Sequence, residues 1–338
     1  MNLKLHFRIR FLTTMKTSKR HFLTNALTGI LDSARQRSLI LALALGTPIA
    51  VSAADIGKTF ATPEEAVSAL AAAASTQDTN ALRVIFGPAV VDLENADRVQ
   101  ATNDFREFTT ALNQSKRIVR ESDAKSVLEI GESFWPFPVP IIKKDGRWFF
   151  DTAAGKEELL NRRIGKNELS VLESMRAYVV AQREYAGRDR DGDEVLEYAQ
   201  RLMSSPGTKD GLYWPPDLDG EISPFGPLVA DAQAEGYTVK GKAGTAERAP
   251  FHGYFFKILT RQGTHAPGGK YDYIINGNMI GGFALVAWPA EYGESGVMTF
   301  IVNQQGRVYQ KDLGPNTEKA AKKMTEYDPD STWSVSRD

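Results

Sequence analysis

The sequence predicts an α+β protein in which helices come first and antiparallel strands follow. Three observations lead to this prediction. An alanine-rich helical segment opens the folded part, the strong hairpin signal Asp145-Gly146 follows it, and the last third of the chain alternates short apolar runs with turn residues. The composition, with 42% hydrophobic and 25% charged residues, is typical of a globular protein and excludes a disordered or collagen-like chain.

Residues 1–54 have the composition of a secretory signal peptide. They hold eight Lys and Arg against one acidic residue, Asp32, and an uncharged apolar run covers 39–51. That run is shorter than the roughly 20 residues that a membrane-spanning helix needs, and small residues follow it, as at a cleavage site. We expect cleavage at Ala53 or Ala54, export to the periplasm or beyond, and no transmembrane span after signal removal. A retained N-terminal anchor is the alternative.

The charge of the expected mature chain excludes nucleic acid as a partner. The whole chain carries a formal charge of −1, but without the first 54 residues it has 33 Lys and Arg against 41 Asp and Glu, a charge of about −8. Nucleic-acid binding needs a basic surface that neutralises phosphates. Cysteine is absent, which excludes disulfides, thiolate metal ligands, a cysteine nucleophile and a lipid-modified cysteine anchor.

Residues 55–165 are predicted to form an N-terminal lobe of helices and a curved sheet. Thr62 caps the first helix, Pro63 suits its first position, and Glu65 completes a capping box. The order of elements resembles the cystatin-like and nuclear-transport-factor-like folds, a likeness of fold that does not fix a function. The further elements predicted in this lobe are helices at 80–86 and 105–112 and strands at 126–130, 139–143 and 147–150.

A linking helix at 166–186 and a C-terminal antiparallel-sheet lobe at 187–338 complete the predicted architecture. Apolar side chains recur three and four residues apart along 169–185, which gives this helix one buried face. A separate short helix is expected at 157–160. The elements predicted in the C-terminal lobe are a helix at 227–235, strands at 253–260, 271–276, 282–288, 296–302 and 307–311, and a final helix at 317–327.

The acidic loop, residues 189–197, is the sharpest local motif. Asp189, Asp191 and Asp193 stand at positions 1, 3 and 5 of a calcium-loop pattern. The backbone carbonyl of Val195 and the carboxylate of Glu197 would complete a set of oxygen ligands. Calcium is therefore a candidate structural ligand.

The acidic loop also departs from the EF-hand pattern. Glu194 stands where that pattern has glycine, and Gln200 stands where it has a bidentate glutamate. In a calcium loop Leu196 would point to the core. The alternative is a solvated acidic turn that caps a helix at 194–203 and binds no metal.

The sequence contains no assembled catalytic motif. His252 and His265 are the only histidines of the expected mature chain, and a zinc site built from both with a carboxylate is possible but not supported by their spacing. Neither a Gly-x-Ser-x-Gly elbow nor a phosphate-binding P-loop occurs. Pairs of carboxylates such as Glu291 and Glu294 are the type that glycosidases use, but acids are too common here for a pair to identify a site.

Two aromatic segments are candidates for stacking against a sugar or a peptide. One precedes the predicted hairpin and the other lies in a proline-rich turn. Packing against a core edge is the alternative, and exposure of either segment would favour binding. The candidate ligand contacts are Phe134, Trp135, Trp148, Tyr213 and Trp214.

Several longer strings resemble an exported bacterial family described as domain of unknown function 2950. The resemblance covers roughly 58–327 and implies an exported protein with no established activity. The C-terminal half also weakly resembles pilin-like and pseudopilin-like globular domains, through the Asp-Gly-Asp loop and the strand that begins at Phe300. The strings shared with the first family include Trp135-Pro136-Phe137-Pro138, residues 161–169, residues 181–185, Gly211-Leu212-Tyr213-Trp214-Pro215, residues 281–289 and residues 306–314.

These observations predict a non-catalytic periplasmic binding or envelope-associated module, stabilised by calcium if the acidic loop binds it. A cell-envelope protein or polymer is the expected partner. One alternative is a cell-envelope hydrolase that uses carboxylates or His252, and a histidine close to a serine or carboxylate in a cleft would favour it. The other is a small-ligand binder whose N-terminal cavity is lined by Phe134, Trp148 and Phe150.

Overall fold

The N-terminal half contains the predicted helices followed by the predicted sheet. The computed structural model describes residues 56–93, 95, 97–190, 192–216, 220–237 and 250–336, so the signal segment with Ala53 and Ala54 lies outside the described residues. The N-terminal elements are α1 (Pro63–Ser75), α2 (Thr79–Phe86), α3 (Arg98–Gln114), β1 (Lys116–Ser122), β2 (Lys125–Ile130), β3 (Trp135–Pro136), β4 (Ile141–Lys144) and β5 (Arg147–Phe150).

Local chemistry explains the boundaries that the sequence predicts correctly. The hydroxyl of Thr62 accepts from the backbone N–H of Glu65 at 3.1 Å, and the Glu65 carboxylate accepts from the N–H of Ala61 at 2.9 Å, a reciprocal cap for α1. Asp145 and Gly146 both have positive φ, as a tight two-residue hairpin between β4 and β5 requires.

The N-terminal sheet has the order β1-β2-β4-β5, with β3 also paired to β2. Strand β1 is missing from the sequence prediction, because its mostly charged residues are exposed and show no alternation. The helices and the sheet enclose the first hydrophobic core. Its buried members include Leu70, Phe86, Leu128, Ile141, Trp148 and Phe150.

One long helix, α4 (Thr152–Tyr185), connects the two halves of the chain. The sequence predicts two helices here, 157–160 and 166–186, and this is wrong because the helix is continuous over 34 residues. At its start, Thr152 donates its hydroxyl to the Phe86 carbonyl at 2.6 Å. Its last four turns pack into the second core. The polar run that interrupts the apolar spacing lies inside the helix, where its side chains contact both halves.

The C-terminal half is built around a five-stranded antiparallel sheet in the order β15-β13-β12-β11-β6. Helix α4 packs against β11 and β12, and a short helix, α6, packs against β11. Both contribute side chains to the second core. The elements are α5 (Gly226–Glu235), β6 (Tyr254–Leu259), β7 (Arg261–Gln262), β8 (Tyr271–Asp272), β9 (Ile274–Ile275), β10 (Asn278–Met279), β11 (Ala284–Pro289), β12 (Met298–Asn303), β13 (Tyr309–Asp312), α6 (Thr317–Lys323), β14 (Glu326–Tyr327) and β15 (Ser334–Val335).

Three details of the C-terminal half correct the sequence prediction. Residues 194–203 contain no helix. Helix α6 ends at Lys323, and the residues up to Tyr327 turn into the short strand β14. Leu196 is 59% exposed and does not point to the core. None of the described helices has both the length and the apolar character needed to cross a membrane.

Candidate functional site

The acidic loop is held closed by hydrogen bonds to its own backbone. The Asp189 carboxylate accepts from the N–H groups of Gly192 at 2.7 Å and Glu194 at 2.9 Å. Asp193 accepts from the Val195 N–H at 2.8 Å, and Asp191 lies outside the described residues. In the part of the chain that the structure describes, no three His, Cys, Asp or Glu side chains converge as a metal site would require.

Two contacts also tie the acidic loop to the β9–β10 hairpin. The side-chain amide of Asn278 donates to Asp193 at 2.6 Å. The carboxylate of Glu197 accepts from the backbone N–H of Met279 at 2.8 Å. The described carboxylates of the loop therefore satisfy backbone and amide donors, as in a structural turn.

Arg190, inside the acidic loop, and Arg188, just before it, both pair with Glu221. Arg190 is nearly buried, with its side chain 5% exposed, and lies 2.7 Å from the Glu221 carboxylate. Lys209 lies 2.7 Å and Arg188 3.2 Å from the same group. The hydrogen bond from Lys209, followed by those of Arg190, lowers the pKa of Glu221 to about 2. Glu221 is thus a structural anion at the base of the loop.

The two histidines lie in different places, each beside a carboxylate. Nε2 of His252 is 3.3 Å from Glu235 and its side chain is half-buried. Nδ1 of His265 is 2.9 Å from Asp328 on an exposed loop. The hydrogen bond to Asp328 raises the pKa of His265. Only His252 adjoins the cleft described below.

The predicted ligand-contact aromatics divide into core and surface residues. Trp148 and Trp214 are buried in the first and second cores, so a ligand would have to displace core packing to reach them. Tyr213 and Trp135 are half-buried, and the guanidinium of Arg162 stacks 4.4 Å above the Trp135 ring. Phe134 is 44% exposed and has positive φ, with Arg117 stacked 4.2 Å above its ring.

Polar side chains from both halves of the chain meet in a cleft beside α4, which the sequence does not reveal. The enclosed part of the cleft has a volume of about 20 Å³, room for about one water molecule. Its walls come from the segment before α3, from the middle of α4 and from two C-terminal loops. The lining residues are Asn95, Asp97, Arg163, Pro250, Gly253, Ala290, Glu291, Glu294 and Ser295.

Asn167 of α4 is buried beneath this cleft, with 1% of its surface exposed. We call this residue the hub, because its side chain bonds two other segments of the chain. Its side-chain oxygen accepts from the amide of Gln100 at 2.7 Å, and its side-chain nitrogen donates to the carbonyl of Ser295 at 2.8 Å. Gly253 has positive φ, and a Cβ there would lie 2.7 Å from the Asn167 amide nitrogen. This close approach requires glycine. The hub joins α3, α4 and a C-terminal loop.

We name residues 291–298 the clasp loop, because this loop grips α4 at two consecutive residues. Ser295 offers its carbonyl to Asn167. Glu168 accepts from the backbone N–H groups of Val297 and Met298, each at 3.0 Å. Within the loop, the hydroxyl of Ser295 bonds both backbone groups of Glu291. These bonds fix the loop against the helix.

The clasp loop presents two carboxylates to the cleft. Glu291 and Glu294 both line the cleft, and hydrogen bonding to Glu294, followed by burial and the charge of Glu294, raises the pKa of Glu291. Arg163 of α4 opposes that shift with its positive charge. Asp104 of α3 also attracts Arg163 and pairs with Lys166 at 2.7 Å.

Comparison with known proteins gives a family and no activity. A family model described as "Protein of unknown function (DUF2950)" matches residues 57–335. The chain belongs to the DUF2950 family. No curated protein and no solved structure matches it. The resemblance predicted from the sequence is thereby confirmed for DUF2950, while the pilin-like resemblance of the C-terminal half stays a prediction.

The DUF2950 cleft contains carboxylates of the type that glycosidases use. Glycosidase carboxylates stand about 5–5.5 Å or 6.5–9.5 Å apart to flank a bond, and Glu291 and Glu294 both line the cleft. The Ser295 hydroxyl is engaged in its own turn. His252 contacts Glu235, which is the pairing that favours a hydrolase.

Sequence reasoning missed this site in the DUF2950 chain because its parts are far apart. Gln100 and Asn167 are 67 residues apart, and Asn167 and Ser295 are 128 apart. The one local signal is the polar run around Asn167 and Glu168 inside an otherwise apolar helix pattern. Asn167 is buried, so its side-chain amide has to be satisfied by other segments of the chain.

Proposed function

We propose that this DUF2950 protein is an exported, non-catalytic binding module of the periplasm and cell envelope, and that its ligand occupies the cleft beside α4. The observation that carries the proposal is the convergence of polar side chains from both halves of the chain on one cleft. Ligand sites occur preferentially at such junctions. The signal-peptide composition of residues 1–54 supports export.

The size of the cleft indicates which part of a ligand it accepts. Its enclosed volume of about 20 Å³ is far below the roughly 300–1,000 Å³ of sites that take up a whole small molecule. It fits one polar group of a larger molecule, such as a side group of an envelope polymer. Arg163, Asn95 and the two glutamates offer donors and acceptors to that group.

Sedimentation with purified cell-wall sacculi tests the binding proposal. We expect the wild-type protein to sediment with the sacculi and Glu294→Lys to remain in solution, since the substitution fills the cleft and reverses its charge. Glu173→Lys, the same change at an exposed position of α4, should sediment like the wild type. No sedimentation of the wild type, or equal sedimentation of both variants, would refute the proposal.

The same samples test the hydrolase alternative. Release of soluble fragments from the sacculi by the wild type, and its loss in His252→Gln, would replace the binding module with a hydrolase.

Mass spectrometry of periplasmic material tests export. We expect an N-terminus at Ala54 or Asp55, and an intact Met1 would contradict it.

Calcium binding at the acidic loop stays a prediction. We expect millimolar Ca²⁺ to raise the melting temperature, Asp191→Ala to abolish the rise, and Mg²⁺ to have a smaller effect because it demands a stricter octahedral geometry. A melting temperature that does not change in Ca²⁺ would favour a turn that binds no metal. The hydrogen bonds that Asp189 accepts from the backbone support that alternative.

A further inference from the structure

Strand β1 (Lys116–Ser122) is an open edge of the N-terminal sheet. It pairs with β2 on one side, and among the described residues no backbone group bonds it on the other side. All 7 of its residues are exposed or half-buried. An edge strand of this kind offers unpaired N–H and C=O groups to the strand of another molecule.

The backbone N–H and C=O groups of Ile118 and Arg120 point away from β2. The carbonyl of Leu128, which stands opposite Ile118, accepts from the N–H of Phe137 on the far side of β2. Opposite residues of an antiparallel ladder either exchange both hydrogen bonds or exchange neither, so Ile118 and Leu128 exchange none. Alternation along the strand gives Arg120 the same orientation. These two residues can therefore bond a second strand.

The side chains of β1 carry opposite charges on either side of Val119. The Nε of Arg117 donates to Glu129 at 2.9 Å, and Glu121 pairs with Lys125 at 2.8 Å. Both contacts lie on the face of the sheet turned away from the first core, because the alternate residues of β2 that face the core are buried. A bulge at Glu121 ends the regular part of the strand, and the contact with Lys125 keeps its carboxylate on the outer face.

We propose that two copies of this protein form a dimer by antiparallel pairing of their β1 strands about a twofold axis at Val119. In this register Arg117 lies opposite Glu121 of the second copy, and the two Val119 side chains lie side by side. Ile118 and Arg120 exchange backbone hydrogen bonds across the axis. The pairing joins the two N-terminal sheets into one continuous sheet.

The charges of β1 select this register over its neighbours. An axis at Ile118 would place Lys116 opposite Arg120, and an axis at Arg117 or Arg120 would place two arginines opposite each other. Parallel pairing in register would place each charged residue opposite its own copy. Opposite charges stabilise a cross-strand pair, and like charges destabilise it. A twofold interface has to be self-complementary, and the register about Val119 meets this condition.

Cysteine cross-linking of the full chain tests the dimer, since the chain has no cysteine of its own. In the proposed register the two residues at position 119 form a pair without backbone hydrogen bonds, with Cα atoms about 4.5 Å apart, which is within the range of a disulfide. We expect Val119→Cys to form a covalent dimer under mild oxidation by copper phenanthroline.

Val127→Cys is the matched control, because Val127 is also half-buried and lies opposite Val119 on β2. In the dimer it would be three strand spacings, about 14 Å, from its copy, so it should stay monomeric. A Val119→Cys variant that cross-links no more than Val127→Cys would overturn the proposal.

Charge reversal tests the register. Glu121→Arg and Arg117→Glu each place like charges opposite each other in their own dimers. A single strand pair buries less than the roughly 1,600 Å² of a standard interface, so we expect a reversible wild-type dimer in sedimentation equilibrium. Each variant should associate about tenfold more weakly. An equimolar mixture of the two restores both opposite-charge pairs and should associate like the wild type.

Glu173→Arg on the exposed face of α4 should leave association unchanged, and circular dichroism verifies that each variant is folded. A wild type that stays monomeric at every concentration would overturn the proposal. A mixture of two folded variants that associates no better than its components would do the same. If either variant fails to fold, the cross-linking result decides.

Discussion

The acidic loop and the clasp loop both concentrate carboxylates, yet they use them in opposite ways. In the acidic loop, Asp189 and Asp193 accept from backbone and amide N–H groups, and Glu221 below it is surrounded by three cations. In the clasp loop, Glu291 and Glu294 line the cleft together with Arg163. The pKa of Glu221 is lowered by its cations, whereas the pKa of Glu291 is raised by hydrogen bonding to Glu294 and by burial.

The difference teaches that a conspicuous motif and a functional site need not coincide. The acidic loop is visible in the sequence because its residues are consecutive, and its contacts are those of a well-anchored turn. The cleft draws on segments more than 100 residues apart. Its chemistry becomes visible only when α4 brings them together.

The largest effect should come from the hub. Asn167→Ala leaves the Gln100 amide and the Ser295 carbonyl without their partner in a buried place, and each unsatisfied group costs about 1–3 kcal/mol. We expect a loss of about 3 kcal/mol in the free energy of unfolding, measured in urea. Asn278→Ala, which removes the amide that bonds Asp193 on the exposed acidic loop, should cost less than about 1 kcal/mol. Equal losses of unfolding free energy in Asn167→Ala and Asn278→Ala would show that the hub and the acidic loop do not differ in this respect.

The next effect should come from the ion cluster beside the acidic loop. Glu221→Gln removes the charge that Arg190 pairs with in a nearly buried position, and we expect it to cost about 2 kcal/mol at pH 7. The pKa of Glu221 lies at about 2 in the folded state. The wild-type advantage is therefore present above pH 4.5 and is lost as the pH falls toward 2. Urea unfolding at pH 7 and pH 3 measures the change, and a pH-independent difference would contradict it.

A smaller effect of opposite sign is expected at the clasp loop. Glu294→Gln should match the wild type at pH 5 and be more stable at pH 8, by less than about 1 kcal/mol because the pair is exposed. Melting temperatures at the two pH values measure it. Lower stability of the variant at pH 8 would mean that the two carboxylates do not repel each other in the folded protein.

The smallest effect is expected at His265, which is exposed. Asp328 raises its pKa above 6.5, so its contribution is present below that pH and is lost as the pH rises through the raised value. His265→Gln should lower the melting temperature slightly at pH 5.5 and leave it unchanged at pH 9. A loss of stability as large as that expected for Glu221→Gln would contradict this prediction, because the pair of His265 and Asp328 is exposed.

The sequence predicts the fold well where local chemistry decides it. Thr62 and Glu65 cap α1, Asp145-Gly146 turns the hairpin, and the apolar runs become β6, β11 and β12. Strand β1 was not predictable, because its residues pair with β2 through the backbone and leave their charged side chains in water. Strand pairing of this kind depends on the neighbour and not on the strand's own pattern.

The site was less predictable than the fold. Glu291 and Glu294 are noticed in the sequence as residue types, but only the structure brings them to one cleft with Arg163 and places Asn167 beneath it. At Leu196 the sequence prediction is wrong. The calcium-loop pattern predicts a buried side chain there, but the side chain is exposed in the structure. The spacing of residues along the chain predicts local structure, but it does not predict which distant residues come into contact.

The continuity of α4 restricts how this molecule can move. A helix of 34 residues is a rod of about 50 Å, and it is embedded at one end in the first core and at the other in the second. Swinging the two halves apart would mean bending this rod, which has no proline along its length to provide a kink. The two halves are therefore joined by one continuous helix, and the cleft lies beside the middle of that helix.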